Sequence, residues 1–333
     1  MLLVDRYFAG AGVYLPEAVS VADAIEWGRY DQQEADKTGQ LSATVDARLG
    51  GPPMAVAAAR DALAMSGYRP RDVGSVFHAL VFHAGLDLWN SASYLQRELA
   101  MLRCFPVEVR SGCNAALAGV ELACMYMDAH PDRPAALVTA AERWPDGVID
   151  RWRADSSRVF GDAASAVVIS CERGFARLLS IHTATEPSLE GLHRGDAPFS
   201  PVPAYPLDLT QRAEAFQRTM PREEIIRRRD EGMRAAVDQA ITDAGVSLAD
   251  VAYVALPFVG KNQLEREFLG PLGLKLEQTA FERGRRVGHT GPGDQLASLD
   301  YFARSGRLKA DDLILIVGAG GGFVWTVAVA QAC

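Results

Sequence analysis

Lysine is scarce in this chain: of 34 basic residues only Lys37, Lys261, Lys275 and Lys309 are lysines. The bias reflects codon usage and excludes no chemistry. Positive charge as a whole is in deficit, with 42 acidic residues, a net charge of −8 and an isoelectric point near 5.4. That leaves no basic footprint for a nucleic-acid duplex or an anionic membrane, so neither is expected as a partner. Small molecules and proteins are. The five cysteines (104, 113, 124, 171 and 333) are an odd, scattered set without a C-x-x-C pair. Neither a disulfide framework nor a metal site is signalled, and a reducing cytoplasm fits best. Long apolar runs are missing but for residues 313–330, "LILIVGAGGGFVWTVAVA". Its central glycines and β-branched flanks suit two buried strands joined by a tight turn better than one membrane helix. The opening "MLLVDRYFAGAGVYLP" is too short an apolar run, and too soon charged, for a secretion signal.

What the chain does have is bulk and self-similarity. With 333 residues, 49% hydrophobic and 23% charged, it is long enough for two domain-sized halves. Gly67 and Gly245 each stand five residues before an Asp-Val step, at Asp72 and Asp250, and an apolar strand pattern follows both. Further on, "LAGVELA" (117–123) after Cys113 answers "LASLDYFA" (296–303) after His289. Each half closes on a pair of apolar strands. The pattern predicts a duplicated α/β fold, residues 1–180 and 181–333, with helices sandwiching the sheets. Residues 182–222 are Pro- and Gly-rich and poorly periodic, and are expected as an excursion over the active-site mouth.

The duplication brings chemistry together. Cys113, in "EVRSGCNAA", sits between a predicted strand and a predicted helix, where the helix dipole and free backbone N–H groups favour thiolate over thiol. Cys124 and Cys171 lie inside apolar runs and read as core. His289, in "RVGHTGPGDQ", occupies the equivalent turn of the second half, and Asp294 is placed either to orient its ring or to open a helix. Together they predict a nucleophile, a base and an orienter. The turn "GAGGGFVW" (318–325) lacks the G-x-G-x-x-G spacing of a dinucleotide loop; the Gly321 N–H is expected to join that of Cys113 in an oxyanion hole.

Taken in order, "SGCNAALAGVELA", "VFGDAASAVVI" and "GGGFVW" resemble the nucleophile turn, the FGDGAGA-type motif and the C-terminal glycine turn of the ketoacyl-ACP synthase III branch of the thiolase superfamily. The resemblance covers nearly the whole chain. It implies a five-layered αβαβα fold, a homodimer, no permanently bound cofactor, and a cysteine acylated from coenzyme A or a phosphopantetheinyl acyl carrier protein. Condensing members of that family carry a histidine in a "PHQAN"-like strand-end motif and an asparagine in a "GN"-type motif. Here the first reads Leu256-Pro257-Phe258-Val259-Gly260 and the second Gly288-His289. Phenylalanine neither donates a hydrogen bond nor moves a proton, which argues against carbon–carbon bond formation.

The combination resembles the synthase-III-like acyltransferases of natural-product pathways. The expected activity is transfer of an acyl group through Cys113 to a hydroxyl, amine or carrier thiol. His193, in "GLHRGD", and Phe258 are the candidates for the acceptor pocket. The rivals are a priming ketosynthase that decarboxylates a malonyl thioester, and a non-catalytic partner subunit, against which the presence of Cys113 argues.

Overall fold

The computed structural model describes residues 1–200 and 205–333. Its strands are β1 (Tyr7–Tyr14), β2 (Ala18–Ser20), β3 (Ser42–Thr44), β4 (Val73–Ala79), β5 (Phe105–Val109), β6 (Ala135–Glu142), β7 (Ala163–Ser170), β8 (Ala176–Thr185), β9 (Val251–Ala255), β10 (Leu313–Gly320) and β11 (Val324–Ala332). β2 and β3 form a small separate pair, and the other nine follow the order β5-β4-β6-β7-β1-β8-β11-β10-β9. The duplication is written in that order. In the first half β4 and β6 are parallel, β7 runs antiparallel to β6, and β1 antiparallel to β7. In the second half β9, β10, β11 and β8 repeat the same relations. The first half's fifth strand, β5, is answered only by a parallel bridge between Val254 and Thr279. A short antiparallel pairing of Tyr7 with Arg177 and Phe8 with Ala176 joins the halves.

Every residue of β4, β6 and β7 is buried, as expected of strands covered by helices on both faces. One outer helix, Gly51–Ser66, packs on β1, β6 and β7, and the other, Arg222–Ala244, on β8 and β11. Between the sheets lie Ala115–Ala129 and Asp294–Arg304, which touch strands of both halves. The latter helix buries eight of its 11 residues, including Asp294, Gln295, Ser298 and Asp300. A helix buried nearly all round is a central layer, and the five-layered thiolase arrangement follows.

Strand β8 runs across the 180/181 boundary, pairing with β11 of the second half and, at Ala176 and Arg177, also with β1 of the first. The excursion begins only after β8 and contains the helix Leu209–Gln217 before the outer helix starts at Arg222. Its residues 201–204 lie outside the described residues. Among the described residues no helix is long and apolar enough to cross a membrane, and the 313–330 run is the β10–β11 hairpin.

Candidate active site

The strand β5 ends at Val109, and the turn that follows carries Cys113 two residues ahead of the helix Ala115–Ala129. Gly112 has φ 55°, and a Cβ there would stand 2.8 Å from the backbone nitrogen of Gly321. Glycine at 112 therefore lets the glycine-rich turn of the second half lie directly on the Cys113 turn of the first. The buried Asn114 ties the two: its Nδ2 donates to Thr326 Oγ1 (2.8 Å) and its Oδ1 accepts the Thr326 N–H (3.0 Å).

The histidine is seated by the "VFGD" segment. Its N–H donates to Val159 O (2.7 Å) and its carbonyl accepts the Gly161 N–H (3.0 Å). A Cβ on Gly161 would lie 2.0 Å from Val287 O, so this approach needs glycine. Asp162 fixes the segment in turn, with Arg151 at 3.2 Å in a buried pair and the N–H groups of Asp46 and Trp144 each at 2.9 Å.

Cys113 Sγ stands 3.0 Å from His289 Nε2, and His289 Nδ1 2.5 Å from Asp294 Oδ2. Asp294 is the first residue of its helix, so both readings of it hold at once. Its Oδ1 accepts the Thr290 N–H (2.8 Å) and hydroxyl (2.7 Å), and its Oδ2 also accepts the Phe258 N–H (2.7 Å). Burial alone would lower the His289 pKa, but the Asp294 carboxylate and Cys113 outweigh it and hold it up at about 10. The Asp294 carboxylate on Nδ1 leaves Nε2 as the ring nitrogen that faces the Cys113 sulfur.

Cys113 and His289 open onto a cavity of about 460 Å³ that Gly321 and His193 also line. The Gly321 N–H donates to no protein acceptor among the described residues. His193 lies over that glycine: its Nδ1 would stand 2.9 Å from a Cβ on Gly321, and its ring meets Phe323 at 5.4 Å. Enclosure by the cavity wall and the charge of Arg158 push its pKa down to about 4, so it is neutral at pH 7. Leu209, Ala213 and Gln217 of the excursion line the same cavity.

Phe258 is a correction. Its neighbours Pro257 and Val259 line the cavity, but its own ring does not; it packs against Gly284 beside a separate small void. The contribution of Phe258 is its backbone N–H, which holds Asp294.

Three residues went unmarked in the sequence. Asp155 and Arg158 line the cavity and pair at 2.9 Å; their i, i+3 spacing just ahead of the FGD motif was the available signal. Glu142, the lone charge closing the apolar strand "AALVTAAE", is buried behind the site and accepts the N–H groups of Val81 and Phe82. Burial pushes its carboxyl up to about 7 against the pull of those two donors. No cluster of three or more metal-ligating side chains occurs among the described residues.

Duplicated halves with a cysteine turn facing a histidine turn across their seam define a thiolase-superfamily enzyme. Family models for 3-oxoacyl-[acyl-carrier-protein] synthase III match residues 107–187, and for its C-terminal part residues 241–332. A β-ketoacyl-[acyl-carrier-protein] synthase III of Desulfotalea psychrophila is 24% identical over 95% of this chain and 96% of its own. The solved structure of ChlB3, described as an acyltransferase, is 34% identical, covers 98% of both chains and superposes with a TM-score of 0.94. The priming β-ketosynthase of the R1128 polyketide pathway shares the fold, with a TM-score of 0.80 at 16% identity over 99% of this chain and 97% of that one. The chain belongs to the ketoacyl-ACP synthase III family of acyl-transferring enzymes.

Proposed function

We propose that this enzyme moves an acyl group intact from a coenzyme A or acyl-carrier-protein thioester, through an acyl-Cys113 intermediate, to a hydroxyl, amine or carrier thiol in secondary metabolism. The observation that carries the reading is the continuous chain Cys113–His289–Asp294, combined with a position 258 whose side chain is phenylalanine and points away from the cavity. The likeness to ChlB3 supports it.

With the proton on His289, the Cys113 sulfur attacks the donor carbonyl while the N–H groups of Cys113 and Gly321 receive the oxyanion. The new carbon–sulfur bond forms, the donor's breaks, and the leaving thiolate takes the proton from His289. The neutral imidazole then removes the acceptor's proton as the acceptor attacks. Collapse expels Cys113 as thiolate and restores the starting charges. His193, neutral and above Gly321, faces the entering acceptor. Function as a homodimer is part of the same reading.

The named relatives favour one other reading, a decarboxylating priming ketosynthase. Without a side-chain donor from position 258, the enolate left by loss of carbon dioxide would lack hydrogen bonds. Supplied with an acyl donor and labelled malonyl thioester, the enzyme should release no carbon dioxide and form no β-keto product above the enzyme-free rate. Release of both, dependent on Cys113, would establish the ketosynthase instead.

A further inference from the structure

Arg158 stands in the cavity wall with no hydrogen bond from its guanidinium to another group among the described residues. Its Nε lies 2.9 Å from Asp155 Oδ2 as an ion pair without hydrogen-bond geometry, and Asp155 is itself fixed by the Ser157 N–H (2.8 Å) and hydroxyl (2.5 Å). Burial would raise the Asp155 pKa, but Arg158 and Ser157 outweigh it and keep the carboxyl below its ordinary range, so the pair is charged. The two terminal nitrogens of Arg158 have no hydrogen-bond partner among the described residues, and its side chain, 19% exposed, faces the cavity that holds Cys113 and His289. Arg229, in the same wall, differs: its Nη1 meets Glu267 at 2.8 Å and its Nη2 meets Asp230 at 3.0 Å. Arg158 also directly precedes Val159, whose carbonyl seats His289, and shares the cavity wall with Cys113.

A hydrocarbon acyl chain on Cys113 would cover those two terminal nitrogens and leave their N–H groups without acceptors, at a desolvation cost. An acyl group with an anionic oxygen would satisfy them through the paired geometry in which guanidinium binds carboxylate. We infer that Arg158 is a specificity-determining residue that selects acyl groups bearing a second carboxylate. The inference rests on the acyl-Cys113 reading above and deepens it by naming the substrate class.

The test is single-turnover acylation of Cys113, followed by intact-protein mass spectrometry, with succinyl- and glutaryl-coenzyme A against their uncharged counterparts butyryl- and pentanoyl-coenzyme A. The wild type should be acylated by at least one anionic donor roughly 10- to 100-fold faster than by its counterpart, the range of a charge-assisted hydrogen bond. Which of the two anionic donors is preferred reports the chain length that spans from Cys113 to Arg158. Arg158→Met should lose that factor on the anionic donor while holding or gaining rate on the uncharged one, and Arg158→Lys should recover part of the preference. A purely structural role would instead lower all four rates together. Equal rates in the wild type, a preference for the uncharged donors, or a uniform loss in Arg158→Met would overturn the inference and leave the acyl-enzyme standing. No adduct on Cys113 with any of the four donors would overturn the acyl-enzyme reading and the inference with it.

Discussion

His289 Nδ1 and Asp294 Oδ2 stand 2.5 Å apart where neither side chain reaches solvent, at 1% and 0% exposure. The same oxygen accepts the Phe258 N–H, and the other accepts two bonds from Thr290. Asp294 thus holds His289, Thr290 and the backbone at Phe258 together.

Replacing that carboxylate should change the pH behaviour in a defined direction. In the folded protein the His289 pKa, about 10, lies above the ordinary value near 6.5. The stability it contributes is fully present below pH 6.5 and is lost as pH rises through about 10. In Asp294→Asn that contribution shrinks. The gap in urea midpoint between wild type and variant should be widest near pH 6 and should narrow toward pH 10. An unchanged gap across that range would contradict the pairing.

Acyl transfer should depend on the histidine more than folding does. His289→Ala should lose transfer by about 10²- to 10⁴-fold, the usual weight of a general base, and Asp294→Asn by less. Transfer rates are compared at equal folded fraction by circular dichroism. Wild-type transfer by both folded variants would remove the triad.

The glycine at 112 should govern the approach of the two turns. Gly112→Ala places a Cβ 2.8 Å from the Gly321 nitrogen and adds a left-handed backbone penalty of about 1–2 kcal/mol. Acylation of Cys113 should slow by far more than that stability loss implies, because the clash falls on a proposed oxyanion donor. Single-turnover acylation beside a thermal melt separates the two effects, and parallel losses would argue against an oxyanion role for Gly321.

Restoring a histidine at 258 should not restore condensation. The ring at 258 packs on Gly284 outside the main cavity, and the backbone there is held by Asp294. Phe258→His should therefore release no labelled carbon dioxide from malonyl thioester above the parent enzyme. Clear release would mean that the side chain can reach the acyl group.

The duplication was legible because it is written in short-range chemistry. Gly67 and Gly245 each cap a helix with φ near 70°, a 3-10 turn closes at Asp72 and Asp250, and β4 and β9 follow directly. Such caps and apolar runs act within a few residues and survive reading as a string. Cys113, His289 and Asp294 were legible for the same reason, since equivalent turns of a duplicated fold occupy equivalent places.

Where a side chain points once a strand leaves its sheet was decided only by tertiary structure. Residues 256–260 lie beyond β9, so alternation no longer sets their faces; the Phe258 N–H is held by Asp294, 36 residues on, and its ring packs on Gly284 beside a separate small void. Arg158 and Glu142 are alike in this. In the string they are a charge in a linker and a charge ending a strand; beside Cys113 and His289 they become wall and backing of the site. The sequence by itself determined the repeat and the turns that carry Cys113 and His289, because those depend on local backbone preference. The direction of Phe258, the free edge of Arg158 and the burial of Glu142 depend on contacts between distant segments, and those exist only once the two halves have packed.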